Sequence, residues 1–106
     1  MPTPRVITAF VCAVNAGDTE AFLALFDKRG VVDDWGTRYV GHQRIRAWSD
    51  RELIGAKATL AITSSEQHGN EVSMLAQVGG NGFNGPSRIS FTMDGTLVKE
   101  MRITAD

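Results

Sequence analysis

From Ala58 onward, the hydrophobic residues of this chain recur at every second position. Ala58, Leu60 and Ile62 alternate first, then Val72, Met74, Ala76 and Val78, then Ile89, Phe91 and Met93, and finally Leu97, Lys99, Met101 and Ile103. That period belongs to strands with one buried face. Gln67-His68-Gly69-Asn70 separates the first two runs, and Asp94-Gly95 is a strong hairpin signal between the last two. Four strands joined in this way form an antiparallel meander. The first half has a different period. Val6, Phe10 and Val14 repeat every four residues with Ile7 and Val11 beside them, which predicts an amphipathic helix. Thr3 is placed to cap it, Pro4 suits its first position, and Asn15-Ala16-Gly17 ends it. Asp18 or Thr19 caps a second helix with Phe22, Leu25 and Phe26 as its stripe. Val31 to Trp35 reads as a short strand, turned by Gly36-Thr37 into Arg38-Tyr39-Val40. A third helix runs from about His42 to Leu53, with Ile45, Trp48 and Leu53 on one face. Helices followed by a meander predict an α+β fold with the helices packed on one sheet face.

At 106 residues the chain is expected to form a single domain over 1–106, with one core and room for one small pocket. Its 11 Lys+Arg against 12 Asp+Glu leave a net charge of −1, so it has no basic surplus to neutralise phosphates, and nucleic acid is not an expected partner. No apolar stretch reaches the roughly 18 residues of a membrane span, so no membrane partner is expected. The opening Met-Pro-Thr-Pro-Arg lacks the layout of a signal peptide, and one cysteine cannot form an internal disulfide; a cytoplasmic protein is expected. Two histidines without Cys/His spacing give no support for a metal, and no motif calls for a cofactor. Cys12, in the middle of the first helix, reads as a buried small hydrophobe, and His68, in a turn, as solvated.

The outward positions of the meander carry Thr59, Ala61, Thr63, Ser73, Leu75, Gln77, Ser90, Thr92, Val98, Glu100 and Arg102. Most are small and uncharged, whereas a fully solvated face carries more Lys and Glu. This face is expected to meet a second copy of the chain in a two-fold homodimer. Gly79-Gly80-Asn81-Gly82-Phe83-Asn84-Gly85-Pro86 lies between two strands, so it reads as a long connection and not as a phosphate loop, which needs a helix after it. Phe83, at its centre, is placed to cover a pocket or to anchor the loop.

Phe10 through Asp34, with Ala13-Val14-Asn15-Ala16-Gly17-Asp18 and Ala24-Leu25-Phe26, resembles the N-terminal region of the nuclear transport factor 2-like superfamily. Val32-Asp33-Asp34-Trp35-Gly36, Gly41-His42 and Ile45-Arg46-Ala47-Trp48 extend the resemblance, which is clearest over residues 6–48. That superfamily includes ketosteroid isomerases and SnoaL-like cyclases. The resemblance implies a cone: a curved antiparallel sheet wrapped around the N-terminal helices, as in cystatin-like α+β barrels, enclosing an apolar cavity, with dimers common. It places Asp34 in register with the aspartate that shuttles a proton in ketosteroid isomerases. There the aspartate base works beside an oxyanion hole made of a tyrosine and a protonated aspartate. An apolar cavity disfavours carboxylate charge and so suits a group that takes up and returns a proton. Asp33 competes for that role, because neighbours on a strand face opposite ways.

The sequence also departs from the family. The tyrosine donor of the isomerases corresponds to Phe10, and their second aspartate falls near Ile89, so the oxyanion hole is missing. The donors left to replace it are Tyr39, the indole N–H groups of Trp35 and Trp48, Asn81 and Asn84; Tyr39 and His42 stand beside Asp34 as candidates for the chemistry. Phe10, Val14, Trp35, Trp48, Met74, Phe83, Phe91 and Met101 are the expected lining for an apolar small-molecule ligand. The reading is an acid/base isomerase, cyclase or dehydratase acting on an apolar cyclic or enolisable metabolite, with Asp34 as proton shuttle. The alternatives are a hydrophobic-ligand-binding or dimeric accessory module without chemistry, and a cone with a filled interior.

Overall fold

A computed structural model describes residues 3–105; Met1, Pro2 and Asp106 lie outside the described residues. Three helices, α1 (Arg5–Ala16), α2 (Thr19–Ala24) and α3 (His42–Glu52), pack against a six-stranded sheet. Its strands are β1 (Phe26–Asp34), β2 (Thr37–Val40), β3 (Thr59–His68), β4 (Glu71–Gly79), β5 (Gly85–Asp94) and β6 (Leu97–Ala105). They lie in the order β2-β1-β6-β5-β4-β3 in an open, curved sheet with β2 and β3 at its edges. The meander is antiparallel as expected, but β1 and β6 run parallel, so the sheet is mixed. The long excursion through β2, α3 and β3–β5 gives the chain room to return in the same direction. Among the described residues no helix is long and apolar enough to cross a membrane.

The helices follow the apolar stripes, with corrections at their ends. Thr3 does not cap α1. Pro4 sits at the cap with extended backbone, and its carbonyl accepts from the N–H groups of Ile7 (3.1 Å) and Thr8 (3.3 Å). Gly17 closes α1 in the left-handed region (φ +69°), and the N–H groups of Gly17 and Asp18 return to Val14 and Ala13. Asp18 then caps α2, accepting from Ala21 N–H at 3.1 Å. The expected stripe through Leu25 and Phe26 breaks off because α2 stops at Ala24. Val98 N–H donates to Leu25 O at 2.8 Å and Phe26 pairs with Val98, so the chain leaves a short helix for the ladder. Cys12 is exposed, against expectation. It lies two residues from buried Phe10, about 200° around the helix.

The inner sheet face carries Leu60, Val72, Met74, Ala76, Val78, Ile89, Phe91 and Met101 as the alternation predicts. Strand β6 departs from it. Thr92 pairs with Glu100 but Met93 pairs with Val98, which leaves Lys99 as a bulge. Val98, expected on the outer face, is therefore fully buried, while Leu97 and Lys99 are exposed. A second irregularity falls between Ile62 and Ser64 on β3, and Ile62 is exposed there. Aromatic rings fill the centre. Phe10 meets Phe91 edge-on at 5.2 Å and Phe22 at 6.0 Å, and Phe22 continues to Phe26 (5.2 Å) and Trp48 (6.5 Å).

Asn15 ties α1 to the free edge of the sheet. Its side-chain amide donates to Leu60 O at 3.1 Å, and its oxygen accepts from Leu60 N–H at 2.8 Å, so it stands in for a missing strand partner. At the other end of β3's lead-in, Gly55 N–H reaches back to Ser49 O at 3.0 Å, and a Cβ on Gly55 falls 1.6 Å from Asp50 O. Replacing Asn15 by alanine is expected to lower unfolding free energy by about 1–3 kcal/mol, read from urea midpoints. Gly55→Ala forces the backbone after α3 to move and is expected to cost about 3 kcal/mol in the same assay.

Candidate functional site

The β1–β2 hairpin decides which carboxylate faces inward. Asp34 pairs with Thr37, and Trp35-Gly36 forms the two-residue turn between them. Both turn residues have positive φ (+53° and +93°), the pattern of a type I′ turn. The turn thus lies one residue earlier than Gly36-Thr37, and Trp35 is outside the strand. Asp33 is used by the hairpin itself: its Oδ1 accepts from Gly36 N–H at 2.8 Å and its Oδ2 lies 3.5 Å from Arg38 Nη1. Arg38 also reaches Glu100 at 3.4 Å, and Arg102 pairs with Glu100 at 3.1 Å. Strand alternation sends Asp34 to the opposite face, where Trp48 Nε1–H donates to its Oδ2 at 3.0 Å. Its Oδ1 accepts no hydrogen bond from the described residues.

Asp34 lies in the wall of a cavity of about 230 Å³. Trp48, Glu52 and Leu53 of α3 and its end form one side. Leu60, Val78 and Ile89 of the sheet form the floor, with Ala58, Gly79, Ser87 and Ile103 beside them. Trp35 and Phe83 stand at the rim, 61% and 53% exposed. Ser87 is buried, and its hydroxyl donates to Thr104 O at 3.2 Å, so it is already engaged. Glu52 follows Trp48 by four residues and shares its helix face. The lining contains two carboxylates and no Lys, Arg or His.

The glycine-rich segment is a strand connection, as expected, and it carries Phe83 to the cavity. Asn84 closes it by donating to Gly80 O (2.9 Å) and Gly82 O (3.2 Å). Asn81 N–H docks it on Ala56 O at 2.8 Å. Gly80 has φ +118°, and a Cβ there falls 2.5 Å from Lys57 O, so only glycine permits this approach between the two rim loops.

The structure brings Asp34, Trp35, Trp48 and Phe83 together and places the other candidates elsewhere. Phe10, Val14, Met74, Phe91 and Met101 are buried in the closed core and do not line the cavity, because they contact one another around the aromatic cluster. Tyr39 is half-buried outside the lining. Its ring packs 6.1 Å from Trp48, its hydroxyl accepts from Arg51 at 3.4 Å, and the Arg51 guanidinium lies over the ring at 5.7 Å. His42 also lies outside: its Nε2 donates to Phe26 O at 3.0 Å, which holds α3 to the start of β1. It borders a shallow groove with Glu20 and Arg46, whose ion pair raises the Arg46 guanidinium above its ordinary range. His68 is exposed beside Glu66 at 3.1 Å. Sequence reasoning missed Glu52, Leu60, Val78 and Ile89 as lining. The i, i+4 spacing from Trp48 was a usable signal for Glu52, whereas nothing local marks which inward strand residues stay uncovered.

No protein-family model matches the sequence, and no curated protein matches it. The fold has close structural relatives. A protein from Sinorhizobium meliloti, provisionally described as a polyketide cyclase, superposes with a TM-score of 0.83 at 24% identity over 95% of this chain and 94% of its own. A protein of ketosteroid isomerase-like fold from Catenulispora acidiphila, bound to trimethylamine, gives 0.85 at 22% identity over 99% and 88%. A Mycobacterium tuberculosis protein in complex with estradiol-17β-hemisuccinate gives 0.80 at 16% identity over 95% and 91%. With superposition across nearly the whole chain, this protein has the nuclear transport factor 2-like fold.

Proposed function

We propose that this chain is a small-molecule pocket protein that takes an apolar ligand with its polar end on Asp34. The observation that carries this reading is the apolar cavity with one oriented carboxylate in its wall. Trp48 holds Oδ2 and leaves Oδ1 for a ligand. The cavity is below the roughly 300–1,000 Å³ of drug-sized sites, which favours a small occupant. Structural relatives bound to an estradiol derivative and to trimethylamine support small-molecule binding on this fold.

A second reading makes Asp34 a proton shuttle for an isomerase, cyclase or dehydratase acting on an enolisable metabolite. The free Oδ1 favours it, since a base needs an acceptor oxygen within reach of the proton. The rest of the lining weighs against it. Ile89 presents only carbon, Phe10 lies outside the cavity, and the Trp48 N–H is already spent on Asp34. Apart from the indole N–H of Trp35 at the rim, an enolate formed there meets no free side-chain donor in the lining, whereas such donors usually supply the largest part of catalysis. Binding is therefore the first reading.

We further assign the outer sheet face, rich in Thr59, Thr63, Ser73, Gln77 and Thr92, to a two-fold contact between copies. The exposed single thiol of Cys12 suits a reducing, cytoplasmic compartment.

Two probes separate the readings: cyclohexanol, whose hydroxyl can donate to Asp34 Oδ1, tests binding, and cyclohexanone, the corresponding enolisable ketone, tests the shuttle. Saturable binding of cyclohexanol is expected by NMR titration and is lost in Val78→Phe, which fills the cavity; binding that survives Val78→Phe refutes the assigned site. Exchange of the cyclohexanone α-protons in deuterated water, above buffer and abolished by Asp34→Asn, establishes the shuttle; no excess exchange leaves binding alone. Light scattering at micromolar concentration is expected to give twice the 11.5 kDa chain mass, and a monomer mass removes the dimer.

A further inference from the structure

We propose that the cavity selects a small protonated amine over neutral and anionic ligands, with the ammonium on Asp34 and the apolar body against Trp35 and Phe83. This rests on the pocket reading above and names its ligand class. Charge is the first argument. Both ionisable residues in the lining, Asp34 and Glu52, are acids. Two arginines near the cavity point elsewhere: Arg38 pairs with Asp33 and Glu100 on the other face, and Arg51 lies over Tyr39 while donating to Ala47 O at 3.3 Å. An anion entering the cavity thus meets two carboxylates and no cation in the lining. A cation meets Oδ1 of Asp34, which accepts nothing from the described residues, at a position fixed by the Trp48 hydrogen bond. An N⁺–H donor there makes a charge-assisted hydrogen bond, stronger than a neutral donor can make.

Aromatic content is the second argument. Both tryptophans of the chain and one of its five phenylalanines line this one cavity. Aromatic faces attract ammonium groups through the ring quadrupole, tryptophan most strongly.

Backbone conformation is the third argument, and it is independent of charge. Trp35 holds φ +53° in a turn where Asn or Gly is at ease, and its ring is left 61% exposed. A bulky residue in the left-handed region destabilises the hairpin, and an exposed indole gains little from burial in return. The ring's position at the cavity mouth gives that strain a use: it is a wall for the ligand.

Three near-isosteres test this by calorimetric or NMR titration: benzylammonium, benzyl alcohol and benzoate. Benzylammonium is expected to bind about tenfold or more tightly than benzyl alcohol, with benzoate weakest. Asp34→Asn keeps an acceptor for Trp48 and is expected to lower the amine-to-alcohol ratio more than any other single change while alcohol binding persists. Glu52→Gln, at an exposed site that the fold tolerates, is expected to reduce the ratio by a smaller factor. Trp35→Asn is expected to raise the melting temperature and weaken benzylammonium by about threefold or more. If benzyl alcohol or benzoate binds wild type as tightly as the amine, or if Asp34→Asn leaves the preference undiminished, cation selection on Asp34 is wrong and the pocket reading stands. If no member binds, or Val78→Phe leaves binding unchanged, both are wrong.

Discussion

Trp48 joins the core of this protein to its site. Its ring is 1% exposed and packs on Phe22 of α2 and Tyr39 of β2, while its one polar atom reaches Asp34 of β1 at 3.0 Å. A buried indole N–H needs an acceptor, so satisfying it dictates where Asp34 stands. The orientation of the carboxylate is thus inherited from the packing of the helices. Moving α3 along the sheet breaks either the ring contacts or the hydrogen bond, and the bond from Gly55 N–H to Ser49 O fixes how the chain leaves α3. Preorganisation here costs the ligand nothing, because the fold has already fixed the group it meets.

The elements of the fold are largely legible in the sequence because period and turn chemistry are local. The helical repeat of Ile7, Phe10 and Val14 and the alternation of Val72, Met74, Ala76 and Val78 each dictate a buried face. The departures share one cause, which is pairing with a distant strand. Phe26 leaves α2 because Val98 is there to pair with it, and Lys99 bulges where β6 passes from Val98, opposite Met93, to Glu100, opposite Thr92. Neither partner can be seen from the local sequence. The same applies to Asp33 and Asp34. Alternation says that only one faces inward, but the choice is made by where the turn falls, and Trp35 reads as strand because a tryptophan rarely adopts positive φ.

The site is legible only at its aromatic corner. Asp34, Trp35, Trp48 and Phe83 meet as their types suggest, while Phe10, Met74, Phe91 and Met101 fill the interior. Large side chains that face inward from a sheet and a helix find one another first. The space that remains lies where the facing residues are small or short, at Ala58, Gly79, Gly82 and Ser87. A cavity is a shortage of side chain, and a sequence search for large apolar residues finds the closed core instead.

The bond from Trp48 also sets what Asp34 can offer. An indole N–H is a neutral donor: it orients the carboxylate and occupies one oxygen without cancelling the negative charge. Had Arg38 lain on the inner face, the charge would be paired within the protein and the cavity would present a neutral wall. The hairpin instead gives Arg38 to Asp33, on the outside, and leaves the inner carboxylate to a bound partner. The alternation of two adjacent aspartates across one strand therefore divides their work. Asp33 stabilises the turn, and Asp34, on the inner face with no protein cation in the lining, presents its Oδ1 to whatever enters the cavity.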